Sequence, residues 1–143
     1  MTTFPVVEML GGEKTLRSKI SSPMTLVEIL RKGLPYPSLE AVMRTLGLSR
    51  EEASEILMLP MRTLVRRKRQ RRLRADESDR LYRLARVASR AVEVLGSVDA
   101  AGRWLRHSNR ALGGVVPLDL LDTEAGAEEV EHVLGRIEWG VYS

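Results

Sequence analysis

Apolar residues recur at helical spacing along most of this chain, and no segment keeps up the strict alternation of a strand. In "TLVEILRKG" Leu26, Ile29 and Leu30 form one apolar face, and Gly33 with Pro35 ends the element. "SLEAVMRTLG" places Leu39, Val42, Met43 and Leu46 at i, i+3, i+4 and i+7, with Ser38 as expected cap and Gly47 as stop. "SREEASEILML" opens with Ser49 and Glu52 at capping-box spacing and turns Ala53, Ile56 and Leu57 inward. Leu59 and Pro60 interrupt it, and Pro60 can serve the first turn of another helix. A long helix is expected from about Asp76, with Leu81, Leu84, Ala85, Ala88, Val92 and Leu95 on one stripe and Gly96 at its end.

Beyond Gly96 the pattern predicts a short helix in "DAAGRWL" and a turn in "NRALGGVVP". A last helix follows in "TEAGAEEVEHVLGRIEWG", capped by Thr123, with Val130, Val133, Leu134 and Ile137 inward. Gly113 and Gly114 read as a turn, because no strand precedes them and no Lys-Ser/Thr pair follows, as a phosphate loop would need. Residues 1 to 23 lack clear periodicity and carry Gly11, Gly12, Ser21, Ser22 and Pro23, so a mobile arm is expected there. The expected fold is all-α: an arm over 1–23, a helical domain with a long connector helix over 24–96, and a small helical unit over 97–143.

Composition narrows the function. The chain has 143 residues and 43% hydrophobic content, which suffices for a core, and no cysteine, which excludes disulfides and thiolate metal sites. No stretch approaches a membrane span and the N-terminus has no cleavable-signal pattern, so a soluble cytoplasmic protein is expected. His107 and His132 lie far apart without companion ligands, and neither a metal nor a cofactor is expected. The paired acids Asp119 and Asp122 sit where helix capping explains them, and no nucleophile stands in a catalytic context; an enzyme is therefore not expected.

Charge is the strongest chemical signal. Seven of the nine residues from 66 to 74 are basic. With Arg62 they form a block of eight cations without an acid, and taking those eight from the net +4 leaves the remainder of the chain at −4. So concentrated a positive field on an acidic body is the footprint of a nucleic-acid binder. On a helical wheel of 61–70, Met61, Leu64 and Val65 share one side, while Arg62, Thr63, Arg66, Arg69 and Gln70 take the other. Two helices joined by the tight "MLP" turn, the second carrying such a face, are what a helix-turn-helix needs to fill a major groove. Arg62, Thr63 and Arg66 are the expected base readers, since an arginine fork matches the two acceptors of guanine. Arg67, Lys68, Arg69, Arg71, Arg72 and Arg74 are expected to grip phosphates. Only six aromatics occur, and none between 37 and 81 to stack unpaired bases, so duplex DNA is favoured over RNA.

The strings "RLRADESDRLYRLARV" and "WLRHSNRALGGVVPLDLLDTEAGAEEVEHVLGRIEWGVYS" resemble the Xre/MbcA/ParS group of antitoxins, from roughly Leu39 to Ser143. The resemblance implies a Cro-repressor-like helix-turn-helix that binds its own operator, and a C-terminal toxin-binding domain. The implied partner is a RES-domain toxin that consumes NAD, its cleft plugged by the antitoxin's end; two antitoxins associate in a larger assembly. Toxin-binding residues implied in this way are Arg136, Glu138, Trp139, Gly140, Val141, Tyr142 and Ser143. Residue chemistry agrees for two of them, because Trp139 and Tyr142 are types that anchor interfaces, although they could instead fold back on this protein's own core. The Ser143 carboxylate is a further expectation, as a mimic of a dinucleotide phosphate. The sequence departs from the familiar turn at Met58, where a small residue is common, and at Pro60, where a capping hydroxyl often sits. The reading kept beside this one is a homodimeric helix-turn-helix repressor without a toxin partner.

Overall fold

The computed structural model describes residues 5–140. Nine α-helices occur among them: α1 (Pro5–Met9), α2 (Gly12–Leu16), α3 (Pro23–Lys32), α4 (Tyr36–Leu46), α5 (Arg50–Leu57), α6 (Met61–Gln70), α7 (Ala75–Leu95), α8 (Val98–Arg106) and α9 (Glu124–Glu138). Two 3-10 turns, Arg110–Leu112 and Pro117–Leu120, bridge α8 and α9. The described residues contain no strand, only isolated bridges at Pro35–Arg72 and Asn109–Val115. The fold is all-α.

Helix α7 is the mast of the molecule. Its 21 residues span about 31 Å at 1.5 Å per residue. Leu81, Leu84, Ala85, Val87, Ala88 and Ala91 on it are fully buried. The alanines keep one flank narrow, and α1, α3, α5, α8 and α9 all pack against this helix. Each fully buried leucine contributes roughly 1.5–3 kcal/mol relative to exposure. A single apolar cluster runs from Val7 to Leu134, so the core continues across Gly96, where the sequence pattern suggests a division. Leu105 of α8 is buried in it and Trp104 packs against it partly covered.

Local chemistry sets most helix ends. Ser49 and Glu52 form the expected capping box: the Ser49 hydroxyl accepts from the Glu52 N–H at 3.0 Å and the Glu52 carboxylate accepts from the Ser49 N–H at 2.9 Å. Thr123 caps α9 through the Gly126 N–H at 3.0 Å, and Gly33, Gly47 and Gly96 close α3, α4 and α7. Helix α4 begins two residues before the expected cap: Pro35 stands at its N-cap, and Ser38 is a buried residue inside the first turn.

Of the N-terminal stretch expected to be a mobile arm, the described part from Pro5 onward is instead packed. Val7, Met9, Leu10, Leu16 and Ile20 are buried in the common core, and the Ile20 N–H donates to the Glu13 carboxylate at 2.7 Å. Five-residue helices carry too few turns to show periodicity, and their order comes from packing against α7 and α4.

Candidate nucleic-acid interface and C-terminal surface

Helices α5 and α6 are joined by Met58, Leu59 and Pro60. Met58 adopts the left-handed conformation at φ 55°, which costs a non-glycine residue about 1–2 kcal/mol, and its N–H bonds the Glu55 carbonyl at 3.2 Å. Leu59 is buried under the turn, where its carbonyl accepts the Ser54 hydroxyl. Pro60 at the N-cap of α6 offers no side-chain cap, but its carbonyl accepts the Thr63 N–H at 2.9 Å and the Leu64 N–H at 3.1 Å. The turn thus holds the geometry of a helix-turn-helix without the usual residue types.

The face of α6 differs from the apolar wheel. Thr63, Leu64 and Arg67 point inward, and Val65 is 51% exposed. Thr63 therefore cannot read base edges. Arg67 cannot grip phosphate either, for it is 2% exposed and its Nε and Nη2 donate to Oε1 and Oε2 of Glu77, each at 2.8 Å. Its Nη1 reaches Gln70 at 3.2 Å. Glu77 also accepts the Arg74 N–H at 2.8 Å, so one buried carboxylate caps α7 and fixes α6 to it. Burial pushes the Glu77 carboxyl up, but the Arg67 guanidinium and the Arg74 N–H outweigh it and hold the group below its ordinary range. A hydrophobicity wheel counts every arginine as outward; a paired one can turn in.

What remains outward on α6 is a stripe of Arg62, Val65, Arg66 and Arg69 at i, i+3, i+4 and i+7, flanked by Lys68 and Gln70. Arg62, Arg66 and Arg69 have no ion-pair partner among the described residues. Lys68 has only a distant one, Glu40 at 3.9 Å, with both side chains largely exposed. Arg71 and Arg74 are exposed past the helix end, and Arg72 spends one N–H on the Gly33 carbonyl at 2.8 Å. This segment is clamped to the α3–α4 corner: the Tyr36 N–H donates to Arg71 at 3.0 Å, the Leu73 N–H to Leu34 at 2.8 Å and the Leu34 N–H to the Ser78 hydroxyl at 2.7 Å. Gly33 is required there, since a Cβ would stand 2.1 Å from the Leu73 carbonyl oxygen.

At the other end, Trp139 terminates α9 and is 78% exposed, so it does not fold back on the core. Arg136 and Gly140 are also exposed. Glu138 is engaged internally, its carboxylate bound to Arg90 of α7, and this pairing holds its carboxyl below the ordinary range. Val141, Tyr142 and Ser143 lie outside the described residues.

Similarity to known proteins follows the same two-part division. Residues 25–86 match the antitoxin Xre-like helix-turn-helix domain, and residues 90–140 match the antitoxin Xre/MbcA/ParS C-terminal toxin-binding domain. The chain is 34% identical over 132 residues to Antitoxin Xre of Photorhabdus laumondii, covering 91% of this chain and 89% of that protein. The chain belongs to the Xre antitoxin family. Antitoxin Xre of Yersinia enterocolitica is 32% identical over 120 residues, with 82% of this chain and 81% of that protein covered. A Sphingobium protein named Prs ADP-ribosylating antitoxin is 28% identical over 133 residues, covering 86% of this chain and 84% of that protein.

In this Xre-type antitoxin the two matched regions are bonded to each other. Arg106 of α8 donates to Glu52 at 2.5 Å and to the Leu46 and Gly47 carbonyls at 3.1 and 2.5 Å, which ties the C-terminal region to the capping box of α5. The exposed Val65, the buried pair Arg67–Glu77 and this Arg106 link escaped the sequence reading. Only Val65 left a signal, its place three residues from both Arg62 and Lys68.

Proposed function

We propose that this chain is the antitoxin of a type II toxin–antitoxin pair that neutralises a RES-domain, NAD-consuming toxin by placing its C-terminal region in the toxin's active-site cleft. The same chain binds its operator as a homodimer in the cytoplasm and so regulates its own transcription. Support for the toxin arm comes from the match to a toxin-binding domain, the resemblance of the closing segment, and the exposed Trp139 at the end of α9. The name of the Sphingobium relative points to an ADP-ribosylating partner, in keeping with NAD chemistry. Arg136, Trp139, Gly140, Val141, Tyr142 and Ser143 make the contact, while Glu138 holds the base of the segment to α7 through Arg90.

One observation carries the DNA arm: an outward cationic stripe on α6 without carboxylate partners among the described residues, on the second helix of a helix-turn-helix. Arg62 and Arg66 reach base edges, and Val65 between them offers an apolar contact to a thymine methyl. Lys68, Arg69, Arg71, Arg74 and the free N–H groups of Arg72 hold phosphates. Dimerisation matches the two-fold symmetry common to operators.

The test is co-expression with the RES-domain protein of the adjacent reading frame. The full chain should restore growth and co-purify with that protein, and a chain lacking residues 138–143 should do neither. Full neutralisation by the shortened chain would leave the repressor reading in place.

A further inference from the structure

Beside the C-terminal end of α6 lies a groove of about 440 Å³ whose α2 wall, Thr15 to Ser18, lies outside the region matched to the helix-turn-helix domain. Its walls come from α2, the end of α3 and residues 70–72. Arg17, Lys32, Arg71 and Arg72 bring four cations to it, Thr15 and Ser18 add hydroxyls, and none of the described residues lining it is a carboxylate. None of the four cations has an ion-pair partner among the described residues. Like charges crowded in this way repel unless an anion lies between them.

Two of these arginines also sit in the left-handed region, Arg17 at φ 57° and Arg71 at φ 66°. Glycine there would relieve about 1–2 kcal/mol of strain and keep the backbone cap, yet both positions carry a cation. The wall is fixed in place, since Leu16 is buried beside Arg17 and Glu13 holds the Ile20 N–H. Gln70 of α6 lines the same groove, so it continues the outward stripe of that helix.

We propose that this groove binds backbone phosphates of duplex DNA flanking the bases faced by α6, with Lys32 at the end of α3 and Arg17 after α2 as contacts beyond those of α6 itself. The inference rests on the DNA-binding reading above. Neutralising a phosphate contact should lower the slope of log affinity against log salt by about 0.9 per contact.

The test measures fluorescence anisotropy of a labelled duplex of arbitrary sequence, titrated with the full chain from about 50 to 200 mM salt, the range over which phosphate contacts dominate. Arg17→Gly with Lys32→Ala should reduce the slope by about 2 and weaken binding several-fold at the lowest salt, while Arg17→Lys alone keeps the slope. The glycine variant should be at least as stable as the parent in urea, which separates lost binding from lost folding. A control pair, Arg103→Ala with Arg110→Ala, removes the same charge from elements that do not line the groove and should leave the slope unchanged. An unchanged slope in the groove variant, with a lowered one in Arg62→Ala/Arg66→Ala, overturns the groove and spares the DNA reading; an equal drop in the control pair also overturns the groove. No binding by the parent chain, or no effect of Arg62→Ala/Arg66→Ala, overturns the DNA reading itself.

Discussion

Helices α6 and α7 each carry a row of arginines, and the two rows end in opposite states. On α7, Arg80, Arg83, Arg86 and Arg90 all find carboxylates: Arg80 lies 3.6 Å from Asp76, Arg83 3.3 Å from Glu124 and Arg86 3.0 Å from Glu131, while Arg90 binds Glu138. On α6, Arg62, Arg66 and Arg69 find none among the described residues. The difference is not residue type but what the fold brings opposite. Helix α9 lays an acidic flank along α7, so Arg83, Arg86 and Arg90 are internal fasteners of the C-terminal region, while Arg80 pairs within α7 and donates to the Leu57 carbonyl. Among the described residues no carboxylate pairs with Arg62, Arg66 or Arg69, which leaves the charge of the α6 stripe for an outside polyanion.

Arg67 marks the boundary, an α6 arginine drawn into the interior, and breaking it gives the largest expected effect. Arg67→Ala leaves Glu77 buried and unpaired and should cost about 3–5 kcal/mol in urea unfolding, taking DNA binding with it. Arg67→Met combined with Glu77→Leu should recover most of that stability, because a buried pair is close to neutral against apolar residues of similar size. Next come Arg62→Ala and Arg66→Ala, each expected to lose about 1–3 kcal/mol of operator affinity in anisotropy titrations. Their unfolding midpoints should move by no more than about 0.5 kcal/mol. Arg86→Ala inverts the pattern, with a loss of about 1 kcal/mol of stability, since the network is half exposed, and unchanged DNA affinity.

Acid sharpens the contrast with a smaller effect. Burial raises the Glu124 carboxyl, but hydrogen bonds and charge from Arg86 and Arg83 bring it below its ordinary range, and Arg90 lowers Glu138 in the same direction. Carboxyls depressed in the folded state stabilise fully above their unfolded pKa of about 4.3 and lose that contribution as pH falls through the folded values. Melting temperature should therefore hold from neutral pH to about pH 5 and decline below about 4.3.

The parts legible in the sequence are those decided within a few residues. The Ser49–Glu52 box, the Thr123 cap, the glycine stops and the buried stripe of α7 all depend on neighbours one to four positions away. The rest depends on distant partners. The orientation of α6 turns on Glu77, ten residues along, and the fate of Arg83, Arg86 and Arg90 on residues 38 to 48 positions away. Helices α1 and α2 owe their order to the core they cover, and Ser38 misplaced the start of α4 because the Pro35 corner is anchored by Arg71 from a different segment.

The most direct test of the two-row account compares variants of matched charge: Arg62, Arg66 and Arg69 changed to alanine together, against Arg83, Arg86 and Arg90 changed to alanine together. Duplex binding is measured across salt, with urea unfolding of each protein. The account predicts that the α6 triple loses affinity and flattens the salt slope at unchanged stability, and that the α7 triple loses stability while keeping the slope of the folded protein. Equal loss of slope in both triples would contradict it, since net charge alone would then govern binding.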